Sequence, residues 1–164
     1  MSSAGVPEAR LAAWLTLSLA PGLGSVTLGR LTQHFSRVGD ILAASHSQLS
    51  ELGLKPVTIE ALRKPDEAAI EAGLGWAQQS QNHLISLDDP RYPPLLKELN
   101  DPPALLYLCG DPDLLALPQL AMVGSRNPSR PGEQTAQQFA RHLSHTGLTI
   151  TSGLALGIDA ASHR

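Results

Sequence analysis

The sequence predicts an α/β fold in two parts: an all-helical segment over residues 1–81, then an open parallel sheet over 82–164. Three observations lead there. From Pro7 to about Gln81 apolar residues recur at helical spacing and the breaks are Gly or Pro. Beyond Asn82 the pattern changes to short apolar runs bounded by turn residues. The last two runs flank one amphipathic helical stretch, and strand, helix, strand of this length implies a right-handed parallel crossover.

Taken in order, the first helix carries Leu11, Trp14 and Leu15 on one face, and the second carries Leu28, Leu31 and Phe35. Short helices follow near 41–44 and 48–52, another near 58–64, and a longer one near 67–79 in spite of Gly73 and Gly75. The apolar runs 83–87, 104–108, 120–123 and 148–151 are strands. The helix between the last two has Ala136, Phe139, Ala140 and Leu143 as its face, Pro131 in its first turn, Glu133 at the positive end of its dipole, and Gly147 as its stop.

The 164 residues are enough to bury a core. Charged residues make up 16%, well under the usual value of about 25%, so charge-driven disorder is excluded. The aromatics are Trp14, Phe35, Trp76, Tyr92, Tyr107 and Phe139, so the core must be mainly aliphatic and a wide base-stacking platform is not expected. Cys109 has no partner for an internal disulfide, it ends an apolar strand where a packing role is expected, and no Cys/His group has zinc spacing. Residues Met1 to Arg10 lack the pattern of a secretory leader, and no window reaches the roughly 18 apolar residues of a membrane span. A reducing cytoplasm is the expected home, with no membrane partner, metal or cofactor.

The net charge of −3 has the wrong sign for binding nucleic acid by bulk charge. Its distribution is uneven, however. Residues 1–90 hold six basic and nine acidic side chains, whereas 122–164 hold Arg126, Arg130, Arg141 and Arg164 against Glu133 and Asp159. An anion site is therefore expected in the C-terminal part.

Three stretches bear on binding. Leu19-Ala-Pro-Gly-Leu-Gly-Ser25 has the form of a helix-hairpin-helix turn, with a degenerate second copy over 49–62. It serves either as a sequence-independent DNA clamp or simply as a compact helical module that uses the same glycines to turn. Leu120-Ala-Met-Val-Gly-Ser-Arg-Asn-Pro-Ser129 is a strand running into Gly124, Ser125, Arg126 and Asn127 and then opening a helix. Glycine permits close approach of a ligand, Ser125 can donate a hydrogen bond, and Arg126 can hold an anionic oxygen bidentately. The dinucleotide fingerprint and the Walker A loop are both excluded by missing glycines and lysine.

Thr149-Ile-Thr-Ser-Gly-Leu-Ala-Leu-Gly-Ile-Asp-Ala-Ala-Ser-His163 is the second such corner. Adjacent parallel strands bring their carboxyl ends to one edge, so Ser152 and Gly153 should face Gly124 to Arg126 across one crevice. Gly157 lies in the same loop. Asp159 either orients Arg126 or caps the helix that begins there, and His163 either meets a ligand or packs one turn into that helix. No Ser-His-Asp spacing suggests a catalytic residue. Asp88, Asp89, Asp101, Asp111 and Asp113 fall beside prolines or breaks and are turn formers.

Four ordered stretches together carry a family resemblance: Leu87-Asp-Asp-Pro-Arg-Tyr-Pro-Pro-Leu-Leu96, Asp101-Pro-Pro-Ala-Leu-Leu-Tyr-Leu-Cys-Gly-Asp111, Val-Gly-Ser-Arg126 and Ser-Gly-Leu-Ala-Leu-Gly-Ile-Asp-Ala-Ala-Ser-His163. In this order, behind a hairpin-bearing helical segment, they resemble the DNA-processing protein A (DprA, or Smf) family. The resemblance implies a sterile-alpha-motif-like helical domain and a truncated Rossmann-like domain. It also implies a non-enzymatic recombination mediator of natural transformation that binds single-stranded DNA, loads RecA recombinase onto it, and dimerises when full-length. Matched by motif, Gly124, Ser125 and Arg126 belong to the family's first signature, and Ser152, Gly153, Gly157, Asp159 and His163 to its second loop.

Leu156 departs from the family pattern, which has Arg or Lys between Ala155 and Gly157. The chain reaches Arg164 after only two strands of the crossover, and is expected to be the front half of a longer protein. The second reading, of a different class, is a nucleotide or sugar-phosphate-binding enzyme of the phosphoribohydrolase type. Such enzymes usually add a Pro-Gly-Gly-x-Gly-Thr loop and a glutamate that this sequence does not contain.

Overall fold

The computed structural model describes residues 5–164, so part of the Met1–Arg10 stretch read for a leader lies outside the described residues. The chain forms two compact units, one ending at Pro112 and the other spanning Asp113–Arg164.

In the first unit, helices α1 (Gly5–Leu19), α2 (Ser25–His34), α3 (Val38–Ala43), α4 (His46–Glu51), α5 (Pro56–Arg63) and α6 (Glu67–Ala77) follow one another as the apolar spacing predicts. Trp14, Leu15, Leu17, Leu31, Ile41, Leu49 and Ile59 are its fully buried side chains, an aliphatic core around one indole. The hairpin between α1 and α2 turns at Gly22, whose φ of 75° lies in the left-handed region. Gly24 is extended and serves instead as the N-cap of α2.

The second hairpin, between α4 and α5, is stapled to the first: the buried Thr58 hydroxyl donates to the Pro21 carbonyl at 2.7 Å. Arg63 donates to the carbonyls of Leu42 and Ala44 and so satisfies the C-terminal end of α3.

Strands β1 (Asn82–Ser86) and β2 (Leu105–Cys109) pair antiparallel, with Leu84 opposite Tyr107. Leu84 and Ile85 are buried, and β1 packs on α1 and α6. Between the strands lies α7 (Pro94–Lys97), and Tyr92 anchors this segment by donating to the Pro103 carbonyl at 2.8 Å. Cys109, expected to pack, is exposed at the end of β2, on the same outward face of the strand as the exposed Tyr107.

The second unit opens with a 3-10 turn that begins at Pro112, followed by β3 (Gln119–Ala121), α8 (Arg130–His145), β4 (Thr149–Thr151) and α9 (Ile158–Ala161). β3 and β4 pair in parallel, as the crossover requires, and α8 packs on β4 and α9. Ser129 caps α8 by accepting from Gly132 N at 3.3 Å, and Pro131 occupies the first turn. Ala136 and Ala140 are the buried residues of α8, but Phe139, expected on the same face, is 61% exposed. A sheet of two short strands covers only the Ala136–Ala140 stripe, and Phe139 sits about 100° round the helix from Ala140.

Candidate functional site

β3 and β4 are parallel neighbours, with Gln119, Leu120 and Ala121 opposite Thr149, Ile150 and Thr151, so both chains leave the sheet at the same edge. The pairing continues past the strands. Met122 N donates to the Thr151 carbonyl at 2.8 Å, and farther out Ile158 N donates to the Ser125 carbonyl at 3.1 Å. The two glycine-rich corners predicted to share a crevice are therefore brought together.

Two glycines make the approach sterically possible. Gly157 has φ 88°, and a Cβ there would lie 2.2 Å from the Ser125 carbonyl oxygen and 2.8 Å from the Arg126 carbonyl carbon. A Cβ on Gly124 would lie 2.8 Å from Ile158 Cβ. Any larger residue at either position forces the corners apart.

Asp159 closes the pair electrostatically. Its side chain is buried, with Oδ1 accepting from Gly124 N at 3.3 Å and Oδ2 accepting from Gly153 N at 3.1 Å. A buried carboxylate is tolerable only with such donors. Asp159 thus takes neither expected role: it is spent on backbone amides of both loops, and α9 has no side-chain cap at its N-terminus. The same bonds withdraw the Gly124 and Gly153 amides from any ligand, so an anion here must be met by other groups.

Those groups are at hand. Ser125 Oγ accepts from Asn127 N at 3.1 Å, which leaves its own proton to donate. Arg126 and Asn127 are exposed, and no carboxylate lies within ion-pair distance of Arg126 among the described residues. Ser152 Oγ accepts from Leu154 N at 3.2 Å and shares a 2.7 Å hydrogen bond with His163 Nε2. His163 is exposed, so it neither packs inward nor stands free: it steadies the second loop.

The sequence gives no signal for two further features. Ile158 fills the space that Gly124 leaves open, and Leu154 adopts φ 54° in the left-handed region. A leucine there carries strain of about 1–2 kcal/mol. Among the described residues no three His, Cys, Asp or Glu side chains gather to hold a metal ion, and no helix is long and apolar enough to cross a membrane.

Comparison with known proteins agrees with this frame. A family model described as DNA recombination-mediator protein A matches residues 83–164. Protein Smf of Synechocystis sp. (strain PCC 6803) is 35% identical over 156 residues, covering 92% of this chain and 39% of its own length. Protein Smf of Escherichia coli K12 is 44% identical over 96 residues, 58% of this chain and 26% of its own. The X-ray structure of DNA processing protein A (DprA) from Streptococcus pneumoniae superposes with a TM-score of 0.70 at 27% identity, over 90% of this chain and 50% of that one. The chain thus spans well under half the length of these curated relatives. With half of its residues matched by the family model, and its helices and small parallel sheet superposing on a member's structure, the chain belongs to the DNA recombination-mediator protein A (DprA/Smf) family.

Proposed function

We propose that this chain contributes a phosphate-gripping edge for single-stranded DNA, with Arg126, Ser125 and Asn127 on the first corner and Ser152, Gly153, Gly157, Asp159 and His163 forming and steadying the second. One observation carries the reading. The two corners are hydrogen-bonded into a single edge whose guanidinium is exposed and has no acidic partner among the described residues, although acids outnumber bases in the chain.

An unpaired guanidinium beside a hydroxyl suits a phosphate diester, which offers two anionic oxygens and repeats along a strand. The proposed role is non-enzymatic: a cytoplasmic mediator of recombination in natural transformation that delivers single strands to RecA and works as a dimer when full-length. Residues 1–81 are the helical domain and 82–164 the DNA-binding domain of that proposal.

The test is binding of fluorescent oligo(dT) and a mixed-sequence single strand to the protein and to its Arg126→Ala variant. The variant is expected to lose about tenfold in affinity for both, the worth of one charge-assisted contact. Unchanged affinity overturns the assignment of the site. Release of free base from a nucleoside monophosphate would favour an enzyme instead.

A further inference from the structure

The second corner carries a feature that holding a phosphate does not require. Leu154 occupies the left-handed region at φ 54°, a conformation that turns ordinarily give to Gly or Asn. Leu154 is 74% exposed, and Leu156 is 79% exposed. The loop therefore combines backbone strain with two large apolar side chains held in water, and strain of this kind gathers where chains meet ligands.

The surroundings restrict what can cover them. Leu156 is joined directly to Gly157, whose backbone lies against the backbone of Ser125 and Arg126, so the apolar tip belongs to the same pair of corners as Arg126. Val123, 74% exposed just before Gly124, adds apolar surface on the other corner. A ligand matching this edge must present an anion beside an apolar surface. Inorganic phosphate lacks the second, and an apolar protein face lacks the first. A nucleic-acid strand has both, with phosphates on one side and base faces on the other, and aliphatic side chains cover base faces without regard to sequence.

We infer that Leu154 and Leu156 cover the bases of the single strand whose phosphate Arg126 holds, an inference that rests on the proposed function.

The test compares oligo(dT) with an abasic-spacer oligomer of equal length and charge. The protein is expected to prefer oligo(dT) by about tenfold, the scale of partly burying two leucines. Leu154→Asn combined with Leu156→Gln keeps a residue at ease with φ 54° while removing the apolar surface. This double variant should bind both oligomers equally, at the wild-type spacer affinity.

An intact oligo(dT) preference in the double variant overturns the inference, as does an equal loss on both oligomers. It falls equally if the variant alters only concentration-dependent sedimentation of the DNA-free protein, since a second copy would then be the occupant. Arg126→Ala should lower both affinities by one factor. If it lowers neither, the phosphate reading fails, and the oligo(dT) preference still reports separately on the leucines.

Discussion

At the scale of single residues, the site depends on Asp159 and Gly157, neither of which is placed to be a principal ligand group. Asp159 holds an amide from each corner, so removing its carboxylate deletes both hydrogen bonds at a cost of about 1 kcal/mol each. Asp159→Ala should lower the thermal midpoint and speed amide exchange at Gly124 and Gly153 together, while exchange within α1–α6 stays unchanged. Exchange that rises at only one glycine would mean the carboxylate does not link the corners. Gly157→Ala puts a methyl group 2.2 Å from the Ser125 oxygen and must separate the loops. It should weaken DNA binding as much as Arg126→Ala does, although Arg126 remains present. The glycines and the arginine were legible in the sequence because their types announce close approach and anion contact. The partners of Asp159 were not, because 35 residues separate it from Gly124 and only the folded register brings them together.

At the scale of elements, the helical unit is held by contacts between hairpins as well as by its apolar core. Thr58→Val deletes the hydroxyl that ties α5 to the α1–α2 turn and should lower the unfolding free energy by about 1 kcal/mol, read as a lower urea midpoint with an unchanged m value. A second tie joins α1 to the turn after β1. Arg10 Nε donates to Asp88 Oδ2 at 3.1 Å, and Ser86 Oγ donates to Oδ1 at 2.6 Å. Partial burial pushes the Asp88 carboxyl up, but the hydrogen bonds from Arg10 and Ser86 and the charge of Arg10 outweigh it and hold the group below its ordinary value. The bidentate hydrogen bond from Arg91 does the same for Asp89, against a smaller opposing effect of burial. Groups depressed in the folded state stabilise it above their unfolded value of about 3.9 and lose that contribution as pH falls through the folded value. Stability should therefore hold from neutrality to about pH 5 and decline below about pH 4, with a shallower decline in Asp88→Asn. An identical pH profile in that variant would show the Arg10 tie contributes nothing. Helix order and the parallel crossover of β3 and β4 were readable from apolar spacing, but the antiparallel pairing of β1 with β2 was not. The exposure of Phe139 was not, because spacing marks an apolar stripe but not how wide a surface the sheet offers to cover it.

At the scale of the whole molecule, the chain is an acidic protein with a locally basic edge. Its net charge of −3 opposes DNA at long range, so attachment must come from few, short contacts rather than from a broad field. Few contacts mean a shallow dependence on salt, with each lost phosphate contact reducing the slope of log K against log[salt] by about 0.7 for a single strand. On the proposed reading, two hydrogen-bonded corners offer one strand a guanidinium grip. Its most direct test is a salt titration of oligo(dT) binding for the wild-type protein and Arg126→Ala. The dependence should be linear, with a slope that shrinks by about 0.7 in the variant, alongside weaker binding at every salt concentration. Superimposable lines for the two proteins would contradict it.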